Sequence, residues 1–244
     1  MSGHPSTPEV PRPESPIPPP LSVLTPHRTP GRCDEPLRLG VLIGGGGRTL
    51  LNLDEHIRAG QLDAVIASVI APRADLPGVQ RARDAGLDVT IVDAPTAGMT
   101  DAAHAQIHAR LLDCGVDLIC LAGYMRLFRI GEEFVHRVIN IHPALLPSFG
   151  GRGMFGMRVH DAVLRHGCKV SGCTVHLVDE VYDRGPIILQ RTCPVEEGDD
   201  AESLAARVFA LECSAYPEAI ALFRSGRLAI RGRTVEIRPA AGQH

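Results

Sequence analysis

Asn140 and His142 stand two residues apart at the end of an apolar run, Arg137–Ile141, immediately before Pro143. Alternate residues of a strand leave the same face, and proline ends the strand just beyond them. The pattern therefore places an amide donor and a titratable imidazole together at a C-terminal strand edge, where open α/β sheets build their sites. Further on, Asp179, Glu180 and Asp183 lie in a polar loop between two apolar runs, "KVSGCTVHLV" and "PIILQRT". Such a loop can return a carboxylate to the histidine. An Asp beside a His fixes the tautomer and raises the imidazole pKa, and an Asn N–H can steady an oxyanion. Amide, imidazole and carboxylate are what acyl transfer needs when no serine or cysteine nucleophile takes part; the plainer reading is a strand-end histidine and a turn-forming aspartate.

A second candidate region begins at Gly44-Gly45-Gly46-Gly47, followed by Arg48 and Thr49, between the first apolar run (Leu37–Ile43) and a helical pattern. Backbone N–H groups and a helix N-terminus meet there, so Gly45, Gly46, Gly47, Arg48 and Thr49 form a candidate anion seat, against the alternative of a steric turn. The dinucleotide version of the motif needs a third spaced glycine and an acidic end to the second strand. This chain has neither, since that strand ends Ile70-Ala71-Pro72-Arg73. A phosphate on a smaller substrate fits better. Glu212 borders the helical apolar stripe Leu204–Val208–Leu211–Ala215, and no cation stands three or four residues away on either side. It is either a ligand carboxylate for an amine or hydroxyl, or a solvated surface acid.

The elements that must position these residues are Val-, Ile- and Leu-rich runs alternating with helical patterns. They predict an α/β fold with an open, mostly parallel sheet and helices on both faces. A long helix is expected over Glu202–Phe223, interrupted near Pro217. Of the 20 prolines, 11 fall between Pro5 and Pro36. Residues 1–36 thus read as a disordered Pro-rich leader, 37–235 as one folded domain and 236–244 as a tail. A net charge of −3 argues against a nucleic-acid or anionic-membrane partner. No apolar run approaches the ~20 residues of a spanning helix, and the N-terminus does not read as a signal peptide, so a cytoplasmic location is expected. Seven scattered cysteines without a CxxC pair fit reduced thiols. Neither His142, His160 and His176 with Cys173 nor the His104/His108 pair has metal-site spacing, so no metal is expected.

The blocks "LAGYMRL" (Leu121–Leu127), "NIHPALLPSF" (Asn140–Phe149), "SGCTVHLVDEVYDRGPIILQ" (Ser171–Gln190) and "LECSAYP" (Leu211–Pro217), together with the glycine loop, follow one another in a specific order. In that order the chain resembles the phosphoribosylglycinamide formyltransferases of purine synthesis, from Leu37 to about Val235. The resemblance implies a single Rossmann-like formyltransferase domain that uses 10-formyltetrahydrofolate as co-substrate and glycinamide ribonucleotide as acceptor. It also implies a catalytic trio of Asn140, His142 and Asp183. The folate would lie against Met125, Arg126, Leu127 and Phe128 and the loop with Asp179, Glu180 and Tyr182, while Glu212 would hold the acceptor. From the residues alone, Met125 and Leu127 could equally be core.

Three departures stand out. Arg48 and Thr49 replace the Ser and Asn usual in the loop, and Phe209 replaces a Lys or Gln. The segment before the Thr100 helix lacks an Arg often found there. Formyl transfer from folate is therefore the firmer expectation, with deformylation of the folate or transfer to a different amine as alternatives. The Gly-rich segment Gly150–Met157 reads as a mobile flap. Oligomeric state is not legible.

Overall fold

Apolar runs and helical patterns alternate as expected through the structure, a computed structural model that describes residues 20–26, 35–93 and 99–240. After β1 (Ser22–Leu24), strands β2 (Leu37–Ile43), β3 (Ala64–Ala71), β4 (Val89–Ile91), β5 (Leu118–Ala122) and β6 (Val138–His142) are linked by α1 (Arg48–Arg58), α2 (Pro77–Asp84) and α3 (Asp101–Asp113). There follow α4 (Met157–Arg165), β7 (Val170–Leu177), β8 (Ile187–Pro194), α5 (Ala201–Arg224), β9 (Leu228–Arg231) and β10 (Thr234–Ile237). All strands join one sheet in the order β1-β9-β10-β8-β7-β6-β5-β2-β3-β4.

From β6 through β5, β2 and β3 to β4 every pairing is parallel. β7 then runs antiparallel to both β6 and β8. The sheet is therefore mixed, and the change of direction falls at the strand that carries Asn140 and His142. Side chains of β2 alternate between two apolar clusters. Leu39 and Val41 pack with Leu50 and Leu53 of α1 and Leu204 and Val208 of α5, while Leu42 packs with Ile107 and Leu111 of α3. Helices thus cover both faces, as a buried parallel sheet requires.

Three local expectations change. The first concerns the leader: Ser22–Leu24 pairs antiparallel with β9, Val23 opposite Ala229, and Leu24 is buried. A three-residue strand is too short for its composition to announce, and a sheet edge supplies what the local sequence lacks. Residues 1–19, 27–34 and 241–244 lie outside the described residues.

The second concerns α5, which continues through Pro217 without a break. Proline removes the N–H that would reach the carbonyl four residues back, that of Cys213. Asn52 of α1 fills the gap, its Nδ2 donating to Cys213 O at 3.0 Å. The third is a hairpin the pattern did not announce. β9 and β10 pair after α5, so the folded chain runs to Ile237, two residues past the expected boundary.

Candidate active site

β6 ends at His142, and antiparallel register sets Asn140 opposite His176 and His142 opposite Thr174. Residues directly opposite share a face, so all four side chains rise on the same side of the sheet. Thr174 secures the turn after His142. Its hydroxyl donates to Ala144 O at 2.6 Å and accepts from Leu146 N–H at 3.0 Å and Gln190 Nε2 at 2.9 Å.

The loop after β7 closes where Leu177 N–H donates to Pro186 O at 2.8 Å. Within it Asp183 takes φ 55°, a left-handed conformation that residues with a Cβ rarely adopt and that often marks a functional position. Of the three candidate loop acids, it is Asp183 that reaches the strand ends. Its Oδ2 accepts from Gly151 N–H at 2.8 Å and lies 3.6 Å from His142 Nδ1. Its Oδ1 lies 3.4 Å from Asn140 Nδ2 and 3.7 Å from His176 Nε2. Gly150 makes this approach possible, because a Cβ there would meet Leu146 Cδ2 at 2.4 Å and Asp183 Cβ at 3.1 Å. The near end of the expected flap is thus fastened to the site.

His176 belongs to the same cluster, with Nε2 3.2 Å from Asn140 Nδ2 and Nδ1–H donating to Leu177 O at 2.7 Å. In the sequence it figured only as an unsupported metal ligand; the signal that could have found it is its strand alternation with Thr174. Cys173 faces the other side, inside the core.

Electrostatics overturn one expectation. The imidazole pKa of His142 is lowered, because burial outweighs the raising influence of Asp183 and of the bond to Phe149. At neutral pH the ring rests uncharged, with Nε2–H donating to Phe149 O at 2.8 Å. Asp183 shows the opposite balance: burial alone would raise its carboxyl, but the neighbouring His176 and His142 rings and the Gly151 N–H hold it below the usual range.

At the same C-terminal edge of the parallel strands, past β5, α1 starts at Gly47, whose φ of 74° and tight approach to Gly78 (2.8 Å for an added Cβ) demand glycine. No side chain caps this helix and no acid occupies its first turn, so its N–H groups and positive dipole end stay available to an anion. Gly45 has open space around it, Gly46 O accepts from Arg81 Nη1 at 2.5 Å, and Thr49 is half-buried in the first turn. Arg48 lies with its guanidinium carbon 4.2 Å from the Phe209 ring centroid. Two separate departures from the family pattern are therefore a single contact. Glu212 sits one helical turn from Phe209 on α5; burial pushes its carboxyl up to about 7, and Arg48 offsets part of the rise. One further turn along, Tyr216 is fully buried and its single hydroxyl proton is shared between Leu121 O (3.0 Å) and Ile139 O (3.1 Å), tying α5 to β5 and β6.

The expected folate-side residues divide. Met125 is 47% exposed, Arg126 and Leu127 are half-buried, and Phe128 is 1% exposed. Phe128 is a core residue whose ring stacks on His108 with centroids 5.3 Å apart, so its side chain is turned away from the surface. The backbone of "YMRLF" turns inward here because α3 offers an apolar face for Phe128 to cover. Asp179 and Tyr182 are half-buried and Glu180 is exposed; Asp179 Oδ1 accepts from Val181 N–H at 2.9 Å and so folds the loop on itself.

Residues 37–220 match the family described as formyl transferase. The chain belongs to the formyl transferase family. It is 36% identical over 185 residues to a chloroplastic phosphoribosylglycinamide formyltransferase of Vigna unguiculata, covering 75% of this chain and 59% of that one. Against the enzyme of the same name from Arabidopsis thaliana it is 35% identical, covering 78% and 67%. The crystal structure of glycinamide ribonucleotide transformylase 1 from Symbiobacterium toebii superposes with a TM-score of 0.75 at 47% identity, covering 83% of this chain and 94% of the other. This formyl transferase accordingly spans just under three-fifths of the Vigna relative's length. Among its described residues, no group of three or more His, Cys, Asp or Glu side chains could hold a metal, and no helix is long and apolar enough to cross a membrane.

Proposed function

We propose that this formyl transferase moves the formyl group of 10-formyltetrahydrofolate to the amine of glycinamide ribonucleotide in purine synthesis. The observation that carries the reading is the cluster of Asn140, His142, His176 and Asp183 at one strand edge. Arg48 and Glu212, which lie close enough for the guanidinium to act on the carboxyl, support an acceptor with a phosphate at one end and an amine at the other.

The amine nitrogen attacks the formyl carbon and turns its carbonyl into a tetrahedral oxyanion. Asn140 Nδ2–H and His142 Nε2–H donate to that oxygen, the latter released from Phe149 O. The resting ring is neutral, so the His142–Asp183 pair can accept the proton the amine sheds, and the imidazolium forms only as the oxyanion does. The same proton passes to the folate nitrogen, the carbon–nitrogen bond to folate breaks, and the products are the formylated amine and tetrahydrofolate. No net proton is gained or lost. The folate lies against Met125, Arg126, Leu127 and the Asp179–Asp183 loop. The loop from Gly45 to Thr49 takes the acceptor phosphate.

The cytoplasm is the compartment we assign: the six cysteines among the described residues are all free thiols, which supports a reducing environment. The deciding experiment mixes the protein with 10-formyltetrahydrofolate, with and without glycinamide ribonucleotide, and follows tetrahydrofolate and formate. Tetrahydrofolate released only with the ribonucleotide, and without formate, is the expected result. Formate released without acceptor would make the protein a deformylase, and no reaction would point to another amine.

A further inference from the structure

One buried imidazole near the site has no part in the chemistry above. His160, in the second turn of α4, is 4% exposed, and its Nδ1 is buried with no hydrogen-bond partner among the described residues. Polar atoms at that depth are almost always paired, and stranding one costs about 1–3 kcal/mol. Among the described residues Nε2 also makes no hydrogen bond, but unlike Nδ1 it is not fully buried. It is the edge through which the ring remains accessible.

Two further observations place the ring. α4 packs on α5, the helix that carries Phe209 and Glu212. The charged groups outside its own helix that act on His160 are His142 and Arg48. The ring thus lies within the field of both the transfer imidazole and the guanidinium at the glycine loop, the two ends between which an acceptor must stretch.

The chemistry of the ring narrows what it can recognise. Burial, with His142 and Arg48 adding to it against Asp161, lowers its pKa and keeps it neutral. With the proton on Nε2, Nδ1 is a bare ring nitrogen, so no N–H donor is buried without an acceptor. A neutral N–H suits a neutral oxygen, whereas a phosphate is better served by Arg48 and the α1 N-terminus.

We infer that His160 is an acceptor-binding residue whose Nε2–H donates to a ribose hydroxyl of the phosphorylated amine, between its phosphate and its amino group. The inference rests on the ribonucleotide reading of the acceptor and adds a selectivity contact to it.

The test uses His160→Leu, which fills the volume without a polar atom, and His160→Gln, whose amide N–H falls near the position of Nε2. His160→Leu is expected to raise KM for glycinamide ribonucleotide about tenfold with the folate KM unchanged, as loss of a hydrogen bond of ordinary strength would. His160→Gln is expected to recover most of that loss. An unchanged ribonucleotide KM in His160→Leu would overturn the assignment. So would equal impairment of both variants with equal falls in melting temperature, which would mark a packing role. A second measurement separates this assignment from the functional reading: the rise in melting temperature caused by ribose 5-phosphate. A rise seen in the wild type, lost in His160→Leu and kept in His160→Gln supports the assignment even if glycinamide ribonucleotide is not formylated, in which case it is the functional reading that fails. No rise in the wild type together with no turnover would overturn both.

Discussion

On the proposed transfer side, Asn140, His142, His176 and Asp183 are linked pairwise at 3.2–3.7 Å, and Gly151, Phe149 and Leu177 hold three of them by the backbone. On the proposed acceptor side, Arg48 is exposed and leans on the Phe209 ring, while Glu212 makes no hydrogen bond among the described residues. The first region is assembled before any substrate arrives, and one bond, from His142 Nε2–H to Phe149 O, has to open for the imidazole to meet developing charge. The second presents a cation and a carboxyl group that a bound substrate would satisfy on the proposed reading, and such groups set affinity more than rate. The contrast also bears on which residues can vary. A tightly interlocked cluster tolerates little substitution, whereas the other region is held by one exposed contact between Arg48 and Phe209.

The contrast breaks most visibly if the transfer side is cut. His142→Ala or Asp183→Asn should lower kcat by about 10³ or more, with KM for the ribonucleotide changed by less than about threefold. Steady-state rates on variants whose melting temperatures match the wild type check this. A folded His142→Ala protein with near-normal turnover would remove the imidazole from the mechanism. Next in size is Gly150→Ala, which drives a methyl group into Leu146 and Asp183. It should lower kcat by about 10–100-fold through misplacement of the carboxylate. Unaltered kcat would show that the approach of Gly150 to Asp183 is not needed.

Cutting the acceptor side should give the reverse pattern. Arg48→Ala is expected to raise the ribonucleotide KM about tenfold with kcat within about twofold. Phe209→Ala should raise it about threefold, because the ring only supports the guanidinium. A fall in kcat with KM unmoved would erase the distinction between the two walls.

The smallest effect is on stability. The folded chain holds the Glu212 proton up to about pH 7, while the unfolded chain releases it near 4.5. Wild-type stability therefore declines as pH rises across that window. Glu212→Gln should be more stable than the wild type by about 1–2 kcal/mol at pH 8, the shift being discounted for the partly wet edge of the side chain, with the difference fading near pH 4.5. Denaturant titrations at the two pH values decide it, and a pH-independent difference would count against a raised carboxyl.

Local rules reached a good part of this molecule. The alternation of β6 put Asn140 and His142 on one face, Thr100 before a helical pattern marked the start of α3, and the sheet's α/β class followed from runs of buried β-branched residues. Where local rules failed, a distant residue had intervened. Pro217 reads as a break until Asn52, 165 residues earlier in the chain, supplies the missing donor to Cys213. Phe128 reads as part of a ligand-facing run until α3 covers it. β1 and the β9–β10 hairpin each need an edge to pair with.

What the sequence determined was which groups were available and the face on which neighbouring ones would appear, because strand and helix periods are set by backbone geometry within a few residues. The tertiary structure decided which of Asp179, Glu180 and Asp183 meets His142, that His176 joins them, that Arg48 and Phe209 are one contact, and that the imidazole rests neutral. Those outcomes depend on antiparallel register, loop closure and burial. All three arise only when segments far apart in the chain are brought together, and burial then reverses the direction in which a neighbouring carboxylate alone would have moved the proton.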